Sequence, residues 1–212
     1  MRISYKSSFV TGSYNVLNRH GLTWKKETLT TEKGLKGIIA LDWEPIVQVE
    51  LKVLVKQIRS LTESIETLDE QISQEGKKLD GHKNLTSIKG IGERSATVLL
   101  TVIGDVNDFA DENKLAAYFG IVPRVSDSNE TVRHGRITKN GSKIGRTTLV
   151  QCTLVAKRYS PYLRGYYERI KRHRGSGKAI IATARKFLGI IYQTLKNDWI
   201  FEDFPNFVIA ST

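Results

Sequence analysis

Two glycines separated by one residue form the pattern in this chain that most directly suggests chemistry. The apolar residues Leu85 and Ile88 lead into Gly90 and Gly92, and a second apolar run follows at once. Glycine permits a tight turn and close backbone approach. The turn leaves free amides at the start of the next helix, where the helix dipole favours an anion. The pattern predicts a helix-hairpin-helix whose Lys89, Gly90 and Gly92 bind nucleic-acid phosphate. The alternative is a plain αα-hairpin with a glycine turn.

Positive charge is concentrated in one segment of the 212 residues. The chain has a net charge of +11, with 33 Lys or Arg against 22 Asp or Glu. Residues 124–186 contain sixteen Lys or Arg and three acids, a net of +13, so the remainder carries −2. A basic segment beside a near-neutral remainder is typical of a surface that binds a polyanion. The alternative is a solvated face with scattered basic residues.

A single cysteine and the absence of long apolar runs restrict the class of protein. Cys152 is the only cysteine and lies in an apolar run, so we expect it to be buried and inert, with no disulfide and no cysteine zinc site. No stretch approaches the length of a membrane span, and the N-terminus lacks the apolar core of a signal peptide. We therefore expect a cytoplasmic protein that does not bind a membrane.

A heptad pattern predicts a long helix after a weakly patterned start. Residues 1–44 contain glycines, many threonines and few apolar runs, which indicates an irregular segment with short helices. From Pro45, a residue suited to a first helical turn, apolar residues recur every seven positions. One row is Leu51, Ile58, Ile65 and Ile72, and the other is Val47, Leu54, Leu61 and Leu68. This seam favours a parallel coiled-coil dimer over residues 45–79, and an amphipathic helix packed on its own domain is the alternative.

Residues 80–205 are predicted to form a helical domain. Asp108 is a candidate cap for a helix that Gly120 would end. The basic residues 124–145 contain several turn signals and are expected to form an exposed loop. Helical patterns then resume, restart at Pro161, and are interrupted at Gly175. Because no convincing strand alternation appears between residues 80 and 200, the predicted fold class is all-α: a long coiled-coil helix followed by a helical domain containing the helix-hairpin-helix.

Five sequence elements in order resemble a known family. The helix-hairpin-helix is followed by residues 109–123, with Leu-Ala-Ala-Tyr-Phe-Gly-Ile-Val-Pro at their end, and by Gly-Arg-Ile-Thr-Lys-Asn-Gly at residues 135–141. Tyr-Tyr and Lys-Arg pairs come next, at residues 166–172, and then Ala-Thr-Ala-Arg-Lys-Phe-Leu at residues 182–188. Over about residues 45–200 the chain resembles the C-terminal transposase domain of the "IS one-ten" group of bacterial insertion sequences, to which Piv-type DNA invertases also belong.

The resemblance implies a transposase or site-specific recombinase acting on DNA. Members of that family join an N-terminal RuvC-like domain, which holds divalent metal, to a coiled coil and a helical domain with a nucleophilic serine. They are guided by a structured RNA, so DNA and a guide RNA are the partners implied. This chain has only about 44 residues before the predicted coiled coil. We therefore expect residues 1–44 to be a remnant of a missing RuvC-like domain, with no metal site and no cofactor in this chain.

The resemblance places the nucleophile at Ser128. This serine lies seven residues before Gly135 and thirteen before Gly141. Asn129 follows it where the family has glycine, and Ser126 and Ser142 are the competing candidates. Ser142 also fits a cap for the next helix. In the implied reaction Ser128 attacks a DNA phosphate and forms a covalent phosphoserine link.

A serine hydroxyl is a weak nucleophile, and phosphoryl transfer gathers negative charge on the non-bridging oxygens, so cationic donors should surround Ser128. His134 is a candidate proton shuttle, with a simple backbone contact as the preferred alternative. The candidate donors, which could equally clamp phosphates, are Arg124, Arg133, Arg136, Lys139, Lys143 and Arg146, and the family motif near the C-terminus adds Arg185 and Lys186.

Two functions other than catalysis fit the same residues. A non-catalytic nucleic-acid-binding remnant would use the basic surface without a working nucleophile. An interaction protein would associate with full-length transposase, or with itself, through the coiled coil.

Overall fold

The computed structural model describes the backbone of residues 2–128 and 131–210, and side chains within these ranges other than those of residues 2–4, 125–128, 131–134 and 136. The chain divides into two compact units, residues 1–71 and residues 72–212. The helices of the first unit are α1 (Arg2–Arg19), α2 (Glu32–Ile39) and most of α3 (Pro45–Gly76). The second unit contains α4 (His82–Ser87), α5 (Glu93–Ile103), α6 (Glu112–Tyr118), β1 (Pro123–Ser128), β2 (Thr131–Ile137), α7 (Lys143–Tyr159), α8 (Pro161–Lys196), β3 (Phe201–Asp203) and β4 (Val208–Ile209).

The first 44 residues are more regular than their sequence predicts. They form an 18-residue helix, α1, a short 3₁₀ turn and α2, which is capped by Thr31 accepting from the Gly34 amide at 3.2 Å. Val16 and Leu17 of α1 are buried in a core with Leu29 and Ile38. The expectation of an irregular segment is wrong, because serine, threonine and tyrosine dilute the apolar periodicity of α1 without preventing one face from packing.

Helix α3 confirms the predicted long helix, and its apolar seam divides into two parts. Leu51 and Ile58 are 1% and 0% exposed and belong to the core of the first unit, which α1 and α2 share. Farther along, Leu61 and Leu68 are only partly buried, and Ile72 is 40% exposed. The first half of the seam is therefore packed on its own domain, while the second half lacks such a core.

The second unit is built around helices that share one apolar core. That core contains Leu99 and Leu149 together with Phe187 and Phe204. Helices α5 and α7 run antiparallel, because Gly90 before α5 lies against Ala156 late in α7, whereas Val102 late in α5 lies against Gly145 early in α7. Within the described residues, no helix is both long and apolar enough to cross a bilayer.

A β-hairpin occupies the segment that was expected to be an exposed loop. Strands β1 and β2 pair antiparallel, with Val125 opposite His134, Ser126 opposite Arg133 and Ser128 opposite Thr131. A register shift follows Pro123, and charged residues together with Gly135 hide the two-residue alternation on which strand prediction depends. The fold class stays predominantly α-helical, with β1–β2 and a small β3–β4 pair added.

Several helix ends differ in detail from the sequence expectation. Asp111, not Asp108, caps α6, since its Oδ1 accepts from the amides of Asn113 at 2.7 Å and Lys114 at 2.9 Å. Asp108 closes a short 3₁₀ turn instead. Gly120 follows α6 with a φ of +65°, as a helix-ending glycine should. In α8 the backbone leaves helical geometry at Gly175, where φ is +76° and ψ is +166°.

Candidate nucleic-acid interface

The glycine turn between α4 and α5 is present, and its two glycines have different surroundings. Gly90 has a φ of +115°, and a Cβ built on it would lie 2.6 Å from the backbone nitrogen of Ala156. The close approach that Gly90 permits is therefore made to helix α7 of the same chain. A Cβ on Gly92, by contrast, would meet no atom within 4 Å, and Lys89 is exposed. Open space for a phosphate exists beside Gly92, not beside Gly90.

A carboxylate stands in the first turn of α5. Glu93 accepts a hydrogen bond from the Ser73 hydroxyl at 2.9 Å and pairs with Lys77 at 3.3 Å. The Ser73 hydrogen bond and then the bond to Lys77 lower the pKa of Glu93. Because a negative charge already occupies the first turn, the α5 amides are less favourable to a phosphate than the sequence predicts.

The base of the β-hairpin is held by two interlocked loops. A Cβ on Gly120 would lie 2.0 Å from the Asn140 carbonyl oxygen, and one on Gly141 would lie 2.0 Å from the Tyr118 carbonyl oxygen. Only glycine at both positions allows this packing, and both have positive φ. The amide of Lys139 also donates to the Gly120 carbonyl at 3.0 Å. The glycines of the family-like motifs thus fix where β1 begins and β2 ends.

Arg146 fastens the same loops together. Its Nη1 donates to the carbonyl oxygens of Phe119 at 3.2 Å, Asn140 at 3.1 Å and Gly141 at 3.3 Å. The side chain is half-buried. Arg146 was expected to bind phosphate, and the structure gives it a structural role, in which one nitrogen of its guanidinium serves three carbonyls.

The other cations at the hairpin base are more accessible. Arg124 is exposed and makes one long bond, from Nη2 to the Thr138 carbonyl at 3.4 Å. Lys139 and Lys143 are exposed as well. Ser142 caps α7 by accepting from the Gly145 amide at 3.1 Å, which is the capping role the sequence suggested for it. Arg124, Lys139 and Lys143 therefore remain available to an anionic ligand.

The backbone places Ser128 at the end of β1, opposite Thr131. Its side chain lies outside the described part of the structure, as do those of Ser126, Arg133, His134 and Arg136. The hairpin register nevertheless puts Ser126 opposite Arg133, so a cationic residue and a serine are paired across the strands that carry the candidate nucleophile.

The glycine turn and the hairpin base lie at opposite ends of the α5–α7 pair. The turn adjoins Ala156 near the end of α7, while the hairpin base connects directly to the start of α7 at Lys143. Eleven residues of α5 separate the two ends, a length of about 16 Å at 1.5 Å per residue. The structure does not bring the two predicted elements into one compact site, and a ligand contacting both must be extended.

Arg185 and Lys186 form a third location, beside the start of α6. Arg185 donates to the Asn113 side-chain oxygen at 2.9 Å. A hydrogen bond with Tyr162 raises the pKa of Lys186, and the nearby charge of Glu112 adds to the effect. Glu112, Tyr162 and Lys186 line a pocket together with Trp199 and Phe207. Both cations already have partners within the chain, which the sequence motif does not reveal.

Sequence reasoning missed the basic residues near the glycine turn. Lys157 follows Ala156, and its Nζ lies 3.6 Å from the centre of the Tyr167 ring. Arg164 bonds to the carbonyl oxygens of Lys157, at 3.4 Å, and of Arg158. The sequence signal that could have revealed these residues is the pair Lys157 and Arg158 in the last turn of α7.

Comparison with known proteins finds similarity over the segment that contains these elements. A family model described as "Transposase IS116/IS110/IS902 family" matches residues 82–168, which include the glycine turn, both hairpin strands and α7. An IS110 protein of Streptomyces coelicolor, described as uncharacterized, is 27% identical over 77% of this chain and 42% of its own length. The transposase for insertion sequence IS1111A of Coxiella burnetii is 25% identical over 91% of this chain and 55% of its own.

A protein named for gene inversion is also similar. The pilin gene-inverting protein of Moraxella lacunata is 29% identical over 73% of this chain and 52% of its own length. The chain spans about half the length of the curated relatives it matches. The match over residues 82–168 and these relatives agree with the resemblance found in the motifs: the chain is similar to transposases of the IS116/IS110/IS902 family.

Proposed function

We propose that this chain is the DNA-binding and nucleophile-bearing part of an insertion-sequence transposase, and that it takes part in DNA recombination. The observation that carries the proposal is the family match over residues 82–168, which coincides with the glycine turn and the hairpin. The +13 charge of residues 124–186 supports DNA as the partner, since a polyanion would neutralise it. Exposed Arg124, Lys139 and Lys143 at the hairpin base supply phosphate contacts.

The chemistry we assign to Ser128 is phosphoryl transfer. The Ser128 Oγ attacks a DNA phosphorus, an O–P bond forms, and the bond from phosphorus to a deoxyribose oxygen breaks. The serine proton passes to a general base, and the leaving oxygen takes up a proton as it departs. Cationic donors stabilise the charge on the non-bridging oxygens. The hairpin register supports this role, since it places Arg133 across the strands from Ser126, two residues before Ser128.

A covalent-adduct experiment tests the catalytic assignment. The chain is mixed with supercoiled DNA, divalent metal and an added RuvC-like domain, and protein–DNA adducts are separated under denaturing conditions. We expect an adduct with the wild type and with Ser126→Ala, and none with Ser128→Ala. An adduct that survives Ser128→Ala would overturn the assignment. Absence of any adduct, with salt-sensitive DNA binding retained, would favour nucleic-acid binding without catalysis. In this proposal the divalent metal belongs to the RuvC-like domain and this chain holds no cofactor.

We also infer that a structured guide RNA binds the chain, on the strength of the resemblance and the same basic segment. RNA recovered with the protein after purification in moderate salt, and displaced by high salt, would support this inference. Protein that is free of RNA, and that does not bind a structured RNA hairpin, would contradict it.

Self-association is the last part of the proposal, and we assign it to the second half of α3. Leu61, Ile65 and Leu68 keep the heptad spacing but lie outside both buried cores. Ile58 is fully buried in the first unit, so a charge there would unfold the chain and not only separate subunits. We expect Leu61→Asp with Leu68→Asp to reduce the sedimenting mass while far-UV helicity is kept. A wild type that sediments as a monomer would remove this part.

A further inference from the structure

A strongly basic tip projects where α8 is interrupted. Every residue from Lys171 to Lys178 is exposed, whereas Tyr167 before them and Ala179 after them are buried. We call residues 171–178 the basic tip. The first half of α8 therefore leaves the core before the basic tip, and the second half returns to the core after it. The basic tip itself contributes nothing to the buried apolar surface.

Acids do not match most of the charges of the basic tip. It contains Lys171, Arg172, Arg174 and Lys178, and no Asp or Glu. Lys171 pairs with Glu168 at 3.6 Å on the preceding turn. Among the described residues, none forms a hydrogen bond or ion pair with the side chains of Arg172, Arg174 or Lys178. Like charges this close repel one another weakly in water, and a polyanion would relieve the repulsion.

Gly175 sets the shape of the basic tip and does so through its backbone. Its φ of +76° with ψ of +166° belongs to a region that side chains with a Cβ essentially do not adopt. A Cβ there would meet no atom within 4 Å, so packing does not require glycine. The backbone conformation alone therefore requires glycine at this position. The resulting bend lies in an exposed cationic helix and makes no contribution to packing of the core.

We propose that the basic tip is a separate contact for the backbone of duplex DNA, distinct from the hairpin base and the glycine turn. This inference rests on the proposed function and adds a site to it. Duplex DNA fits because its closely spaced phosphates can neutralise several cations at once, and because the exposed tip is free to lie along a backbone. The absence of acids and of buried side chains gives no reason to expect a protein partner.

The experiment compares two variants of equal charge. In the tip variant, Arg172→Gln, Arg174→Gln and Lys178→Gln remove three cations. In the control variant, Lys33→Gln, Lys52→Gln and Lys56→Gln remove three exposed cations from the first unit. Binding of the full-length chain to a fluorescent duplex of random sequence is measured against salt, and a fluorescent RNA hairpin is measured in parallel.

We expect the tip variant to lose at least about tenfold in DNA affinity at moderate salt. The slope of log K against log salt should become shallower by about 2–3, since each phosphate contact contributes about 0.9. The control variant should change the slope by less than about 1. Equal effects in the two variants would overturn the inference while leaving DNA binding itself intact. A loss confined to RNA would replace the DNA assignment with an RNA one. A wild type that does not bind DNA would defeat both this inference and the proposed function.

Discussion

Gly90 lies against the backbone of Ala156, and no larger residue fits between them. A Cβ on Gly90 would be 2.6 Å from the Ala156 nitrogen and 2.8 Å from its Cα. The turn that resembles a phosphate-binding loop is therefore also the point at which α5 is joined to α7. Gly90 therefore has a packing role that Gly92 lacks.

Gly90→Ala should destabilise the second unit by more than about 2 kcal/mol, because it adds a clash with backbone to a positive φ. Gly92→Ala has open space and an extended φ of −88°, and should cost less than about 1 kcal/mol through a poorer helix cap. Urea unfolding followed by circular dichroism measures both. If Gly90→Ala were as stable as Gly92→Ala, the packing role would be wrong.

Removal of the Arg146 guanidinium should loosen the hairpin base. Arg146→Ala leaves the carbonyls of Phe119, Asn140 and Gly141 without this donor, which we expect to cost about 1–3 kcal/mol. Hydrogen exchange should speed up at the Thr138 and Lys139 amides, which bond to Val122 and Gly120.

Lys143→Ala is the matched control for Arg146, since Lys143 is an exposed cation close by in sequence. It should weaken DNA binding without changing stability or exchange. Arg146→Ala protein with unchanged stability and exchange but lost DNA binding would show that Arg146 is a phosphate contact after all.

The ammonium of Lys186 should titrate at a higher pH than a free lysine. Its pKa is raised above the usual value of 10.5 by the hydrogen bond with Tyr162 and by the charge of Glu112. A raised folded-state pKa stabilises the fold fully below the unfolded-state pKa, and the contribution disappears as the pH rises through the folded-state pKa. Tyr162→Phe should lower the pKa of Lys186 toward 10.5, as measured by NMR titration of the lysine side chain.

The Lys186 titration is compared between the wild type and Tyr162→Phe under the same conditions. Identical Lys186 titrations in the two proteins would contradict the assigned contact.

The thiol of Cys152 should be unreactive in the folded chain. Burial raises the pKa of Cys152 above 9.0, and the side chain is only 3% exposed. Because the thiolate is the reactive form, a thiol-specific dye at neutral pH should label the protein at its rate of unfolding. Rapid stoichiometric labelling of native protein would place Cys152 at the surface.

The sequence predicted those elements whose local signals and tertiary environment agree. The long helix α3, the glycine after α6 and the Ser142 cap all follow from short-range rules, and the structure has each of them. Helix α1 was missed because its buried face is interrupted by polar residues. The β-hairpin was missed because its strands are polar and its position depends on Gly120 and Gly141 packing against distant backbone.

The candidate site was harder to predict than the fold because charge does not show which cations already have partners. Arg146, Arg185 and Lys186 look the same in sequence as Arg124 and Lys143. Arg146 bonds to backbone carbonyls, Arg185 to Asn113 and Lys186 to Tyr162. These contacts depend on tertiary proximity, which the sequence does not show. The basic tip shows the opposite case, since its cations remain exposed.

The most direct test of the central claim, that the basic segment of this chain binds the DNA backbone, is the salt dependence of wild-type binding to duplex DNA. Neutralisation of five or more phosphates gives a slope of log K against log salt of about −4 or steeper, and this is the result we expect. Binding that does not change with salt, or a chain that does not bind duplex DNA at low salt, would contradict the account.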